Sequence, residues 1–177
     1  PARAEPGSGK ILVVDDQRNM RATTAIVLRS AGHTVDEAED GAAALQRIQQ
    51  QTFDVVLTDL RMPTVDGMEL LREAQRLAPE TQVIVMTAYG TIESAVDAIR
   101  QGAYDFLAKP FKEDELLLRV AKALEKRRLL GEVNVLAGEF RRRYGLEHII
   151  GRSAAMQDVL DRVARVAPSD ATVLLSG

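Results

Sequence analysis

Three short runs of the chain, Ile11–Val14, Val55–Leu57 and Val83–Met86, are continuously apolar, and amphipathic stretches of helical period separate them. A strand covered on one face alternates apolar with polar residues, whereas a strand covered on both faces reads as an unbroken apolar run. With two less apolar runs they make five strand candidates between residues 10 and 108: "KILVV" (10–14), "TVDEA" (34–38), "FDVVLT" (53–58), "QVIVMT" (82–87) and "YDFLA" (104–108). Between them, Met68, Leu71 and Ala74, and then Ile92, Ala95, Val96 and Ile99, recur at helical spacing and are expected to face inward. Gly32, Pro79 and Gly102 stand where those helices should stop. Strands alternating with helices make an α/β domain with a five-stranded parallel sheet, most simply in the order 2-1-3-4-5. The domain is expected over residues 10–125, after a flexible lead-in at residues 1–9.

In such a sheet ligands gather beyond the carboxyl ends of the strands, where the strand order reverses. The residues at those ends are unusual. Strand 1 runs directly into Asp15 and Asp16; strand 3 leads to Asp59 in "LTDLRMP", strand 4 to Thr87 in "VMTAYG", and strand 5 to Lys109 in "FLAKPF". Two carboxylates about 4 Å apart repel by roughly 4 kcal/mol at an effective dielectric near 20. A cluster of three therefore needs a cation or raised pKa values, and Lys109 supplies only one positive charge. An all-oxygen donor set without His or Cys selects a hard cation, and a few carboxylates with waters suit Mg²⁺ better than Ca²⁺. A metal ion, an amine and a hydroxyl around one carboxylate are what a phosphoryl group requires.

Composition narrows the remaining classes. The chain has no cysteine, which removes disulfides, thiolate metal sites and thiol nucleophiles. Its net charge of -3 gives no general attraction to nucleic acid or to an acidic membrane surface. No apolar run approaches the roughly 20 residues that cross a bilayer, and a cytoplasmic location is the expectation. His33 and His148 have no neighbours at metal or catalytic spacing. Arg141, Arg142 and Arg143 lack the aromatic platform of a nucleic-acid interface and read as a solvated helix end, so no direct nucleic-acid contact is expected.

Four motifs in order, "ILVVDDQ", "VVLTDLRMPTVDG", "VIVMTAYG" and "GAYDFLAKPF", resemble the receiver domain of two-component response regulators. The resemblance implies a flavodoxin-like receiver fold with Asp59 as phosphoacceptor and a sensor histidine kinase as phosphoryl donor. It implies that Asp16, Asp59 and the backbone carbonyl of Arg61 bind Mg²⁺, with Asp15 acting largely through water. Lys109 would pair with Asp59, Thr87 would move toward the phosphoryl group with small Ala88 beside it, and Phe106 would be the aromatic that turns inward as Thr87 moves. Lys109-Pro110 matches the family's cis bond. Gly67 is expected where positive φ is needed, and Arg61 and Tyr89 are plausible tuners of phosphoryl lifetime.

The fifth helix continues past its expected end. Leu117, Val120 and Leu124 lead into Leu129, Val133, Leu136 and Phe140 at near-heptad spacing, over residues 113–143. This seam either folds back on its own domain or forms a homodimer, and the dimer is the expectation. Residues 146–177, "LEHIIGRSAAMQDVLDRVARVAPSDATVLLSG", resemble the opening of the AAA+ ATPase domain of sigma-54-dependent activators of the NtrC type. There a helix capped near Ser153, with Met156, Val159, Leu160, Val163 and Val166 inward, should precede a strand at 172–175, with Gly177 the first glycine of a phosphate loop. The implied whole is a receiver and linker controlling an ATPase domain of the same full-length protein, with no enzyme activity of its own in these residues. A haloacid-dehalogenase-like phosphatase also phosphorylates an aspartate, but "TDLRMP" lacks the second acid of that motif. A flavin-binding fold is disfavoured because Asp15 and Asp16 would repel the phosphate. A purely structural dimerisation module would leave the acidic pocket without a use.

Overall fold

A computed structural model describes residues 8–88 and 92–144, together with Met156, Asp158, Val159 and Arg162; the side chains of 92–94 and 137–144 are not among those described. The order is β1 (Lys10–Val14), α1 (Arg18–Ser30), β2 (Thr34–Ala38), α2 (Gly41–Gln50), β3 (Val55–Asp59), α3 (Gly67–Leu77), β4 (Gln82–Thr87), α4 (Ile92–Arg100), β5 (Asp105–Ala108) and α5 (Glu113–Tyr144). The strands form one sheet in the order β2-β1-β3-β4-β5, with every neighbouring pair parallel. Both the α/β class and the strand order match the expectation.

The apolar runs split by strand period. Leu12, Val14, Val56, Val83 and Val85 face one cluster with Ala44, Ile48, Leu70, Leu71, Ala74 and Ala98 of α2, α3 and α4. Ile11, Val13, Val55, Leu57, Ile84 and Met86 face the other, with Ala25 and Leu28 of α1 and Leu116, Val120 and Ala123 of α5. Ile11 to Val14 are each 0% exposed, so all four side chains of the run are used. Burying one such aliphatic side chain is worth about 1.5–3 kcal/mol, and this doubly covered sheet is the rigid frame for its carboxyl edge. Side-chain caps set two helices on that frame: Asp40 accepts from the Ala43 N–H at 2.7 Å, and Asp66 from the Glu69 N–H at 2.8 Å.

Three expectations need correction. On α4 the face toward the sheet is Ala95 and Ala98, while Val96 and Ile99 are 41% and 44% exposed. The apolar stripe there is wider than the buried one, and the small alanines let the helix approach. On α5, Val120 is fully buried, and Leu117 and Leu124 pack partly against the same cluster. Val120 thus serves the domain's own core, which corrects its expected place in the dimer seam, and Leu117 and Leu124 give part of their surface to that core. Leu129, Val133 and Leu136, by contrast, are 48%, 60% and 64% exposed. The side chains of Phe140 and of Arg141 to Arg143 lie outside the described residues. Finally, Gly67 does not have positive φ, and the residue that does in this loop is Thr64, at 71°.

The chain divides into two units, Pro1–Glu132 and Val133–Gly177. In the second, Met156, Asp158, Val159 and Arg162 are helical. Val159, expected inward, is 44% exposed. The expected cap at Ser153, inward residues Leu160, Val163 and Val166, the strand at 172–175, Gly177 and His148 lie outside the described residues, as does Tyr89. Among the described residues, no helix is long and apolar enough to cross a membrane.

Candidate phosphoacceptor and cation site

The strand order places β1 beside β3, so Asp15, Asp16 and Asp59 meet at one end of the sheet. A carboxylate oxygen from each lies within 4.8 Å of the other two. Their surroundings differ: Asp15 is fully buried and Asp59 is 7% exposed, while Asp16 faces solvent. Asp16 also lines an open hollow of about 590 Å³ with Leu60, Arg61, Met62, Pro63, Asp66 and Met68. The cluster thus has a buried floor and an open mouth.

Each acid is positioned by its neighbours. The Asp15 carboxylate accepts the Gln17 N–H at 2.9 Å, and its carbonyl accepts from Arg21 Nη1 at 2.7 Å. Asp59 is the last residue of β3 and not the residue beyond it; Arg61 N–H reaches its Oδ1 at 3.5 Å. Lys109 follows β5, and its N–H donates to the Thr87 carbonyl at 2.8 Å, which fixes the lysine beside β4. The Lys109-Pro110 bond is cis, as expected. Thr87 is 3% exposed and ends β4, while Ala88 beside it is exposed.

Lys109 Nζ donates to Asp15 Oδ2 at 2.6 Å and to Asp59 Oδ2 at 2.8 Å. The pairing with Asp59 was expected; the closer one with Asp15 was not, because sequence order gives no distance across the switch point. Burial opposes the Lys109 charge, but hydrogen bonds to Asp15 and Asp59 and their negative charges outweigh it and raise its pKa above the ordinary value. One ammonium still cannot balance three carboxylates. The donor set fits a hard cation, being all oxygen, multiply charged and open at Asp16.

The loop after Asp59 is tight. A Cβ on Gly67 would collide with the Asp59 carbonyl oxygen and sit 2.9 Å from Leu60 Cα, so this glycine is required by close approach. Nearby, Val65 N–H donates to the Pro63 carbonyl at 2.8 Å, closing a three-residue turn on Thr64. A β-branched residue at positive φ is strained. No signal in the sequence marked Thr64.

A doubly wound α/β domain with an acidic, lysine-bridged pocket at its switch point defines a class of cation-assisted, phosphoryl-handling modules. The chain matches the response regulator receiver domain over residues 11–121 and belongs to that family. It is 40% identical over 169 residues to the transcriptional regulatory protein ZraR of Escherichia coli (strain K12), covering 94% of this chain and 37% of ZraR. The chain therefore spans little more than a third of that relative. Among solved structures, NtrX from Brucella abortus in complex with ADP aligns with a TM-score of 0.70 at 37% identity, over 92% of this chain and 35% of that one. The beryllofluoride-activated NtrC4 receiver domain dimer aligns with a TM-score of 0.64 at 34% identity, over 67% of this chain and 98% of that one.

Proposed function

We propose that this chain is the phosphoacceptor module of a two-component, sigma-54-dependent transcription activator, with Asp59 the residue modified. One observation carries the reading: Asp59, nearly buried at the end of β3, shares the Lys109 ammonium with Asp15 and lies within reach of Asp16. In the reaction an Asp59 carboxylate oxygen attacks the phosphorus of a phosphohistidine or of a small acyl phosphate. The bond to the leaving imidazole nitrogen or acyl oxygen breaks, and its electron pair leaves with that group. Lys109, already on Asp59, then meets a phosphoryl oxygen, and Thr87 offers its hydroxyl to another.

Asp16, Asp59 and the Arg61 carbonyl would hold Mg²⁺ directly and Asp15 largely through water. Bound there, the ion supplies positive charge against the phosphoryl oxygens. Thr87 and Phe106 form the two-state element biased by the modification. The readout passes through α5 to a homodimer, for which the exposed Leu129, Val133 and Leu136 offer the apolar surface, and then to the AAA+ domain of the full-length protein. The dimeric receiver of NtrC4 and the transcriptional regulatory role in the name of ZraR support this assignment. A cytoplasmic location belongs to the same reading, as is general for response regulators of this type. In this scheme the chain accepts a phosphoryl group and hydrolyses no ATP itself.

The test is intact mass after incubation with acetyl phosphate, with Mg²⁺ or with chelator, beside Asp59→Asn. One added phosphoryl group in the wild type with Mg²⁺, and none in Asp59→Asn, is the expected result. Unmodified wild-type protein after both acetyl phosphate and a phosphorylated partner kinase would overturn it.

A further inference from the structure

Phe106 sits on β5, the edge strand of the sheet, opposite Val85 of β4, and its side chain is half-buried. Helix α5 brings Arg119 to the same spot. Arg119 Nη1 donates to Asp105 Oδ2 at 2.6 Å and Nη2 to Glu115 Oε1 at 3.0 Å. Its guanidinium carbon lies 5.9 Å from the centroid of the Phe106 ring, within the roughly 6 Å range of a cation–π contact. The other oxygen of Asp105, Oδ1, accepts the N–H of Phe106 itself at 2.8 Å. A single carboxylate therefore ties the backbone of the aromatic to the cation over its ring.

Arg119 Nε is buried and has no hydrogen-bond partner. A buried donor left unpaired calls for an explanation, and what sets Arg119 apart from Arg127, whose Nε is also buried and unpaired, is the aromatic ring its guanidinium covers. Here the guanidinium is held over the ring, with two carboxylates fixing its far edge. Lysine could not reproduce this, since it lacks the planar fork that engages both acids while lying over an aromatic face.

We propose that Arg119 is a positioning residue that holds the Phe106 ring in its place against α5, so that the ring can turn inward only by giving up its contact with the linker helix. An inward turn of the ring toward Thr87 breaks the contact with the guanidinium, while the Asp105 pair keeps Arg119 on β5. Loss of Arg119 thus frees the ring to populate its inward position before any modification occurs. The trigger, though not the contact, rests on the phosphoacceptor reading.

The experiment places 4-fluorophenylalanine at position 106 of the whole chain and records its fluorine resonance in wild type, Arg119→Ala and Arg119→Lys. Arg128→Ala serves as the control, because Arg128 pairs with Glu132 at 3.4 Å on the same helix away from the ring. The expected result is a shifted, exchange-broadened resonance in Arg119→Ala, a partial effect in Arg119→Lys and none in Arg128→Ala. Acetyl phosphate should then modify Arg119→Ala severalfold faster than the wild type. A resonance unchanged in Arg119→Ala, with only a lowered melting temperature, would reduce Arg119 to an ordinary ion pair and overturn the proposal. Absent phosphoryl uptake in every variant, wild type included, would instead count against the phosphoacceptor reading, and the fluorine result would still decide the latch.

Discussion

The two ends of the sheet carry charge in opposite styles. At the amino edge the acids and bases alternate: Asp54 accepts the Lys10 N–H at 2.8 Å, Arg127 pairs with Glu80 at 2.6 Å, and Lys10 Nζ donates to Gln51 at 2.6 Å. Those side chains are half-open to water, with Asp54, Arg127 and Glu80 at 37%, 23% and 43%. At the carboxyl edge three acids crowd one lysine, and the side chains of Lys109, Asp15 and Asp59 are only 7%, 0% and 10% exposed. One edge is neutralised and solvated, the other unbalanced and, except at Asp16, shielded from water. The same frame thus supports an ordinary surface at one end and stored repulsion at the other, and only the second has use for a ligand.

The sharpest way to break this contrast is Lys109→Met, which leaves Asp15 and Asp59 buried with no ammonium. Removing one partner of a buried pair costs about 3–5 kcal/mol, and a loss in that range is expected in chelator at neutral pH by denaturant unfolding. The pH dependence has a definite sign. Lys109 has its pKa raised above 10.5, so its contribution is complete below 10.5 and fades as pH climbs through the higher folded value. The gap between wild type and Lys109→Met should therefore be constant near neutrality and close in strong alkali. A gap that opened instead at acid pH would contradict the pairing.

Gly67→Ala acts on the backbone of the same edge. The new methyl group meets the Asp59 carbonyl and the Leu60 Cα, and neither is a flexible side chain that can move aside. Overpacking of this kind costs about 1–3 kcal/mol. Phosphoryl uptake should fall with stability, because the displaced atoms belong to the acceptor. Full uptake with full stability would mean that the loop yields easily.

The sheet and its acids were legible because both are written in local pattern: unbroken apolar runs, then a polar residue at each run's end. What stayed hidden depends on distances between segments. Ile92, Ala95, Val96 and Ile99 share a helical face, yet which part of that face meets the sheet is decided by how closely Ala95 and Ala98 let α4 approach. The seam from Leu117 to Leu136 is continuous in period, and periodicity cannot say that its first half meets β-strands of its own domain while its second half meets solvent. Gly67 was recognised as special for the wrong reason, since close approach and positive φ select the same residue. The Lys109–Asp15 and Arg119–Asp105 pairs join residues from different elements, and composition does not show which charges will meet.

Asp16→Asn should move stability the other way. Asp16 is the exposed member of the cluster, so its repulsion of Asp15 and Asp59 is partly screened, and its removal in chelator should stabilise by on the order of 1 kcal/mol. Saturating Mg²⁺ should erase or reverse that advantage, because a ligand that binds the folded state stabilises it by mass action, about 2.7 kcal/mol at a hundredfold excess over Kd. Thermal unfolding of both proteins across a Mg²⁺ titration reads both parts. Equal responses to Mg²⁺ would remove Asp16 from the ion's ligands.

Arg127→Ala probes the amino edge and should have the smallest effect. Arg127 Nη1 reaches Glu80 at 2.6 Å, while its Nε stands 3.9 Å from Asp54, too far for a hydrogen bond. A solvent-screened pair of this kind is worth about 0–1 kcal/mol, and the buried, unpartnered Nε offsets part of that. Salt then separates the two edges. At about 1 M salt the Debye length falls to roughly 3 Å, so the loss from Arg127→Ala should shrink toward zero, whereas the loss from Lys109→Met should largely persist because the Lys109, Asp15 and Asp59 side chains are buried and buried pairs are screened much less. Unfolding both variants at low and high salt compares the edges directly. An Arg127 effect as large and as salt-resistant as that of Lys109 would mean that the amino edge is also shielded from water, and the unbalanced charge at the carboxyl edge would no longer single it out as the site.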